Sequence, residues 1–336
     1  MRFYIGGIKI KNQGKNRYIL LFIITTLILS CFAINTQAEE TDIQIVCSNS
    51  ILADFTSNLI RENVSIEYIM PSGVCPAFYD TTPSDVSKII SADIIISFGS
   101  SSMEPWLDDL LTYNTDADLI ECQNMGEWNI PTNAKTYVEY LSRELSEILP
   151  EINETIHNNS QAYIIKIDEK SLELQEIIES NGYLNKPVIC MQWQKDFLET
   201  LGLNVTYSYG PPQGLSAQDE LDVINAALSN DVCAIIDNLQ SGTDFGAHVA
   251  SESGASHIIF TNFPGAVPGT DTYLDMISYN TNQLIDGIKN YEYKKGDIAE
   301  LESQLSNLEL QRNTSIILAV IFVILSLTFY VLYKKK

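Results

Sequence analysis

The sequence predicts an α/β protein of two lobes joined by one long backbone helix and followed by a C-terminal transmembrane helix. Three observations predict it. Short β-branched runs alternate with amphipathic stretches in two separate blocks, the rhythm of parallel sheets covered by helices. Between the blocks, residues 151–180 contain no Pro or Gly and carry apolar residues at helical spacing. Near the C-terminus, residues 316–333 hold no charged side chain, and a run of roughly 18 apolar residues is long enough to span a bilayer as a helix.

The first block reads as a strand at 42–47, a helix at 51–61 with Leu52, Phe55, Leu59 and Ile60 on one side, and a strand at 64–70. A helix at 83–91, with Ser84 as its cap, leads to a buried strand at 93–98. A further strand ends at Cys122. A helix at 133–149 is stopped by Pro150, which cannot continue it without losing a backbone donor. The long helix at 151–180 ends at Gly182. The second block repeats the alternation, with strands at 187–191, 204–207, 232–237 and 257–261. Its helices are predicted at 195–201, 216–230, 243–253 and 273–289. Both lobes are therefore Rossmann-like, and ligands of such sheets bind at the carboxyl ends of the strands. The resulting organisation is a signal peptide at 1–38, an N-terminal lobe at 41–149, the backbone helix at 150–181 and a C-terminal lobe at 182–293. A stalk at 294–315, with Ile298, Leu301, Leu305 and Leu308 in a 3-4-3 spacing, leads to the membrane helix at 316–333.

The termini place the chain. Arg2, Lys9, Lys11, Lys15 and Arg17 precede the apolar run 18–33, and Thr36-Gln37-Ala38 offers small residues for cleavage, the layout of an export signal. Lys334, Lys335 and Lys336 favour a cytoplasmic end for the second apolar run. The main domain is thus expected outside the cell, held to the membrane by a single pass. Eight of the 20 bases lie in these flanks, leaving 12 against 43 acids, so the exported part is near −31. Such a surface repels nucleic acid and anionic lipid. On an exported chain Asn63, Asn153, Asn158, Asn204 and Asn313 head N-x-Ser/Thr glycosylation sequons.

The motif-bearing stretch is Pro71–Asp85, PSGVCPAFYDTTPSD. Pro71, Gly73, Pro76, Tyr79, Pro83 and Asp85 keep a Pro-x-Gly-x-x-Pro-His-x-Tyr-x-x-x-Pro-x-Asp frame, with Ala77 in the His position. Cys47-Ser-Asn-Ser-Ile51, Ser91-Ala-Asp-Ile94, Glu104-Pro-Trp106, Trp128 with Pro131, Asn133, Ala134 and Tyr137, Leu215–Asp219, and Asp271–Met276 with Asn280 follow in order. Together they resemble the TroA/ZnuA-like solute-binding family of zinc and manganese ABC importers over nearly all of residues 43–289. The resemblance implies a two-lobed metal receptor that delivers its cargo to a membrane permease and its ATPase. It also implies a metal site of three His and one acid, a nitrogen and oxygen set suited to zinc or manganese.

At those four positions the chain holds Ala77, Gly126, Met191 (or Gln192) and Asn262. Sulfur offers a substitute: Cys47, Cys75, Cys122 and Cys190 are expected at strand ends facing the cleft, with Met191 in the third slot and Asp237 as an acid within reach, beside Asp80 and Glu127. Thiolate and thioether favour a soft ion such as Cu(I), or zinc in a sulfur-rich site. Disulfides and buried free thiols are the alternatives that an exported chain leaves open. His157, His248 and His257 read as surface or packing residues. No HExxH, GxSxG or P-loop pattern supports an enzyme. The expected function is a membrane-anchored binding protein of a metal importer with an atypical site. The alternative is a surface structural or adhesive protein of the same fold that binds no metal.

Overall fold

A computed structural model describes residues 43–61, 64–99 and 102–334; the export signal and Asn63 lie outside the described residues. The first sheet is built from β1 (Ile43–Cys47), β2 (Val64–Tyr68), β3 (Ile94–Ser97) and β4 (Asp118–Glu121), ordered β2-β1-β3-β4 and parallel throughout. Its helices are α1 (Ser50–Leu59), α2 (Pro83–Ser91) and α3 (Leu107–Leu111). Helices α4 (Pro131–Ile148) and α5 (Asn153–Ser180) form a hairpin across a short 3-10 turn at Pro150–Ile152. The second sheet repeats the first: β5 (Pro187–Met191), β6 (Asn204–Tyr209), β7 (Ala234–Asn238) and β8 (Ser256–Phe260) run parallel in the order β6-β5-β7-β8. Helices α6 (Lys195–Thr200), α7 (Ala217–Ser229) and α8 (Asp244–Ser253) connect its strands, and α9 (Tyr273–Lys334) closes the chain. In each sheet the strand order reverses between the first strand and its inner neighbour. The crevice for a ligand therefore opens at the carboxyl ends of β1 and β3 in one lobe and of β5 and β7 in the other.

The lobes share one hydrophobic core. It runs from Ile45, Ile95 and Phe55 through Tyr163, Ile167 and Leu174 of α5 to Val188, Ile236 and Phe260. A second cluster, with Ile189, Met191, Tyr209, Ile235 and Val249, fills the outer face of the second sheet beneath α7 and α8. At the join, Phe55 of α1 meets the rings of Tyr137, Tyr163 and Tyr273 at 6.0, 6.4 and 5.4 Å. One ring thus ties α1 to α4, α5 and α9, and edge-on aromatic contacts of this kind add to simple burial.

Three expectations change. Helix α2 is capped by Thr82 rather than Ser84: Pro83 takes the first helical position, and the Asp85 carboxylate accepts from the Thr82 N–H and hydroxyl at 2.7 and 2.9 Å. Strand β8 starts and ends one residue earlier than the expected 257–261, at Ser256–Phe260. The closing helix, the stalk and the candidate membrane segment are one 62-residue helix, buried in its first part and exposed beyond it. A single glycine inside a helix costs only about 1 kcal/mol relative to Ala, so Gly296, in open space, does not interrupt it. Its last part is long and apolar enough to cross a membrane.

Candidate functional site

The wall of the crevice in the first lobe is built by the motif residues. Asn49 caps α1, its Oδ1 accepting the Leu52 N–H at 3.2 Å, and its Nδ2 donates to Glu104 Oε1 at 3.3 Å. The other Glu104 oxygen accepts the Phe98 N–H at 2.9 Å, so one carboxyl ties together the chain leaving β1 and the chain leaving β3. Trp106 donates from Nε1 to the Pro76 carbonyl at 3.0 Å and meets the Tyr79 ring edge-on at 5.2 Å, while Tyr79 donates to Asp85 at 2.7 Å. The frame around Ala77 is therefore scaffold, and it places a half-buried methyl where an imidazole would sit.

The second loop is held from α4. Asn133 donates to the Glu127 carbonyl at 3.1 Å and Tyr137 to the Gly126 carbonyl at 3.0 Å. Gly126 has φ +78, and a Cβ there would lie 2.7 Å from Asn133 Nδ2. The loop as folded thus requires glycine, and a histidine at this position needs a different backbone.

The lobes meet directly. The Trp128 indole stacks on Phe98 at 4.6 Å and donates to the Asn262 carbonyl of the second lobe at 2.6 Å. Asn129 Nδ2 points at the Trp193 carbonyl (2.9 Å), Gln194 Oε1 (3.2 Å) and Asn262 Oδ1 (3.5 Å). Gln194 Nε2 donates to Asn262 Oδ1 at 2.7 Å. Gln240 accepts from the Asn262 N–H and donates to the Ser72 carbonyl at 2.8 Å, and Ser50 donates to the Pro264 carbonyl at 2.8 Å. Asn129 and Gln194 are fully buried. The centre of the crevice is therefore a carboxamide cluster shared by both lobes. Asn129, Gln194 and Gln240 were not singled out from sequence; the one signal was their closeness in the chain to Trp128, to the third slot and to Asp237.

The predicted ligands are not brought together. Cys47 is fully buried under α1, its sulfur 3.9 Å from the Thr56 hydroxyl. Cys190 and Met191 are consecutive on β5 and face opposite sides of the sheet, Cys190 into the shared core and Met191 into the outer cluster. Asp237 lies on the Met191 side, accepting from Tyr209 at 2.5 Å and paired with His257 Nε2 at 2.7 Å. It packs on Gly246 of α8, where a Cβ would fall 2.1 Å from its oxygen. Cys75 sits half-buried in the loop two residues before Ala77. Among the described residues no group of three or more His, Cys, Asp and Glu side chains could hold a metal ion. The five described cysteines are free, which removes the disulfide alternative for them. Burial pushes the Cys47 thiol up to about 12 and raises Cys122 and Cys190 as well, so these sulfurs are protonated. His157 is exposed on α5, and His248 pairs with Glu220 at 3.1 Å.

Three acids, two at the crevice and Asp54 at the join of α1, α5 and α9, are perturbed. Burial pushes Glu104 up to about 7, against the hydrogen bonds from Ser48, Phe98 and Asn49. Burial pushes Asp54 up to about 6, although its carboxylate accepts from the Tyr273 N–H and the Tyr163 hydroxyl at 3.0 Å each. Glu127 is pushed up to about 7 by burial first and then by the charge of Asp196 in the facing lobe.

Comparison with known proteins places this architecture. The family described as zinc-uptake complex component A, periplasmic (ZnuA) matches residues 45–287. The manganese-binding lipoprotein MntA of Halalkalibacterium halodurans is 23% identical over 296 residues, covering 80% of this chain and 97% of that protein. The iron ABC transporter substrate-binding lipoprotein MtsA of Streptococcus pyogenes serotype M1 is 24% identical over 314 residues, covering 82% and 99%. A manganese-bound periplasmic metal-binding protein from Candidatus Liberibacter asiaticus superposes with a TM-score of 0.64 at 21% identity, covering 74% of this chain and all of that one. A crystal structure of ZnuA superposes at 0.63 with 18% identity, covering 73% and 99%. At these identities the two structures speak for the fold alone. The relatives are binding proteins of transporters, not enzymes.

Proposed function

We propose that this chain, which belongs to the ZnuA family of zinc-uptake components, is the membrane-anchored cargo-binding protein of an ABC-type metal importer. It works outside the cell, takes a metal ion between its lobes at an atypical site, and presents it to a permease driven by an ATPase. The observation that carries this reading is the crevice itself. The loops around Ala77 and Gly126, and the chain around Gln192 and Asn262, converge on it from both lobes although none of the four supplies an imidazole or a carboxylate. The relatives bind manganese or iron according to their names, which supports a metal cargo. Sulfur does not form the site in this reading, because Cys190 and Met191 face apart and the buried thiols stay protonated.

The exposed apolar end of α9 is the anchor in this reading, entering the bilayer after residue 315 with its lysines inside. Carbonate extraction tests it. The full chain is expected to stay with membranes at high pH, and a chain ending at Tyr293 to be released; release of the full chain would remove the anchor.

A second reading, a surface protein of the same fold that holds no metal, is favoured by one observation. The lobes are already joined by direct hydrogen bonds through Trp128, Asn129, Gln194 and Asn262. Metal analysis of the full chain, prepared without chelator or affinity tag, separates the two. One metal ion per chain is expected for the receptor and none for the surface protein.

A further inference from the structure

We propose that α9 pairs with the same helix of a second copy of this chain, parallel and in register, along one face that runs from the stalk through the bilayer. This goes beyond the receptor reading and rests on the anchor within it. From Glu292 on, every described residue of the helix is exposed. Ile298, Leu301, Leu305 and Leu308 are each between 57% and 64% exposed, and their 3-4-3 spacing puts them at the a and d positions of two heptads. A single exposed leucine needs no explanation, but a row of four apolar side chains on one face in water calls for a partner. The unbroken helix extends the row. Ala319, Phe322, Ser326 and Phe329 stand three heptads beyond Ile298, Leu301, Leu305 and Leu308, and a left-handed supercoil keeps such a repeat on one seam.

Inside the bilayer, association cannot draw on the hydrophobic effect, and small residues and hydroxyls mark the faces where helices meet. Ala319 and Ser326 alternate with the two phenylalanines, so each ring has a small neighbour to pack over. Thr314 and Thr328 donate their hydroxyls to the Leu310 and Ile324 carbonyls of their own helix, at 2.8 Å each, whereas Ser326 has no hydrogen-bond partner among the described residues. A bare hydroxyl in hydrocarbon is unfavourable, and a second helix on this face supplies its acceptor.

The occupant is a copy of this chain because orientation, pattern, charge and area all fit one. Both copies enter the membrane from the same side, so the pair is parallel, and equal insertion depth sets Ile298 opposite Ile298. Ile at an a position with Leu at the d positions is the parallel two-stranded pattern. In that register Gln304 of one copy lies beside Glu309 of the other, an amide against a carboxylate. Arg312, at the next a position, is paired with Glu309 of its own helix at 3.9 Å. Asp297 beside Glu302 sets like charges together, in water where salt screens them. Each stripe residue of the stalk buries on the order of 100 Å², so the stalk alone gives roughly 800 Å², short of the roughly 1,200 Å² of a stable interface. Phe322 and Phe329 of each copy add about 150 Å² apiece, which carries the pair past that bound.

The test is disulfide cross-linking of the full chain in its membranes with copper phenanthroline. Leu305→Cys, on the seam, is expected to give a product of twice the chain mass, about tenfold or more above that from Ser303→Cys on the opposite face, because a disulfide needs Cβ atoms about 4 Å apart. The parent chain reads the background from Cys75, the one described cysteine that is not buried. In detergent, Leu301→Ala combined with Leu308→Ala is expected to weaken the pair about tenfold or more by sedimentation velocity. All these positions are exposed, and circular dichroism checks that the lobes stay folded. Equal cross-linking at Leu305→Cys and Ser303→Cys would overturn the pair. So would a Leu305→Cys product with a different protein only, or a double variant that associates as tightly as its parent. Carbonate extraction of the same membranes separates the readings. A chain that stays in the membrane and does not cross-link overturns the pair and leaves the anchor and the receptor standing; a chain that is released overturns the anchor and the pair with it.

Discussion

Acidification is expected to stabilise this protein, against the usual direction for a chain so rich in carboxylates. The cause lies chiefly in Asp54 and Glu104, the most buried of the three acids (with Glu127) whose folded pKa exceeds the unfolded value, so the folded state holds the extra proton. The stabilisation is complete below the unfolded values of 3.8 and 4.5, and it is lost as pH rises through about 6 for Asp54 and about 7 for Glu104. Each pKa unit is worth about 1.4 kcal/mol, which gives about 3 kcal/mol for each group, little reduced by screening because both are at least nine-tenths buried. Against a typical domain stability of about 5–15 kcal/mol, this is a large effect. Urea midpoints of the full chain in detergent, measured at pH 5 and pH 8, read it directly, and the midpoint is expected to be higher at pH 5. Glu104→Gln keeps an acceptor for the Phe98 N–H and removes the titration, so about 3 kcal/mol of the stability lost between pH 5 and pH 8 should no longer be lost. A midpoint that rises from pH 5 to pH 8, or a Glu104→Gln variant as pH-sensitive as its parent, would refute the reasoning.

Other outcomes follow from the same geometry. Gly126→Ala puts a side chain at φ +78, 2.7 Å from Asn133 Nδ2, and should lower stability by about 1–2 kcal/mol in urea unfolding. Trp128→Phe keeps the ring over Phe98 but strips the Asn262 carbonyl of its donor, and should cost about 1–3 kcal/mol by the same assay. Iodoacetamide applied to the native chain, followed by mass spectrometry, should label Cys75 first among the described cysteines, because Cys47, Cys122, Cys190 and Cys233 are buried.

Much of the fold was legible because it is written in local periods. The strand at 187–191 and the helix at 83–91 came out with the bounds expected, since β-branched runs and an N-terminal proline mark their ends without tertiary help. The short α3 was missed: five residues give too little of a helical period to register. The closing helix was expected to end at 289 and instead runs on through the stalk, and Gly296 carries only a weak penalty in an exposed helix. The site was the least legible part. Asn129 and Asn262 stand 133 residues apart, and no spacing rule connects them. The grouping of Cys190 with Met191 went wrong for a reason the sequence did contain, because neighbours on a strand point to opposite faces.

The central claim is that this chain takes a metal ion into the crevice between its lobes. An anomalous difference map, from crystals of the full chain grown with Mn2+ and measured at the manganese edge, addresses it with one peak. The account predicts that peak in the crevice between the loops of Ala77 and Gly126 and the chain at Gln192 and Asn262. A peak beside Cys75 or Cys190, or a map with no peak in the crevice, would contradict it.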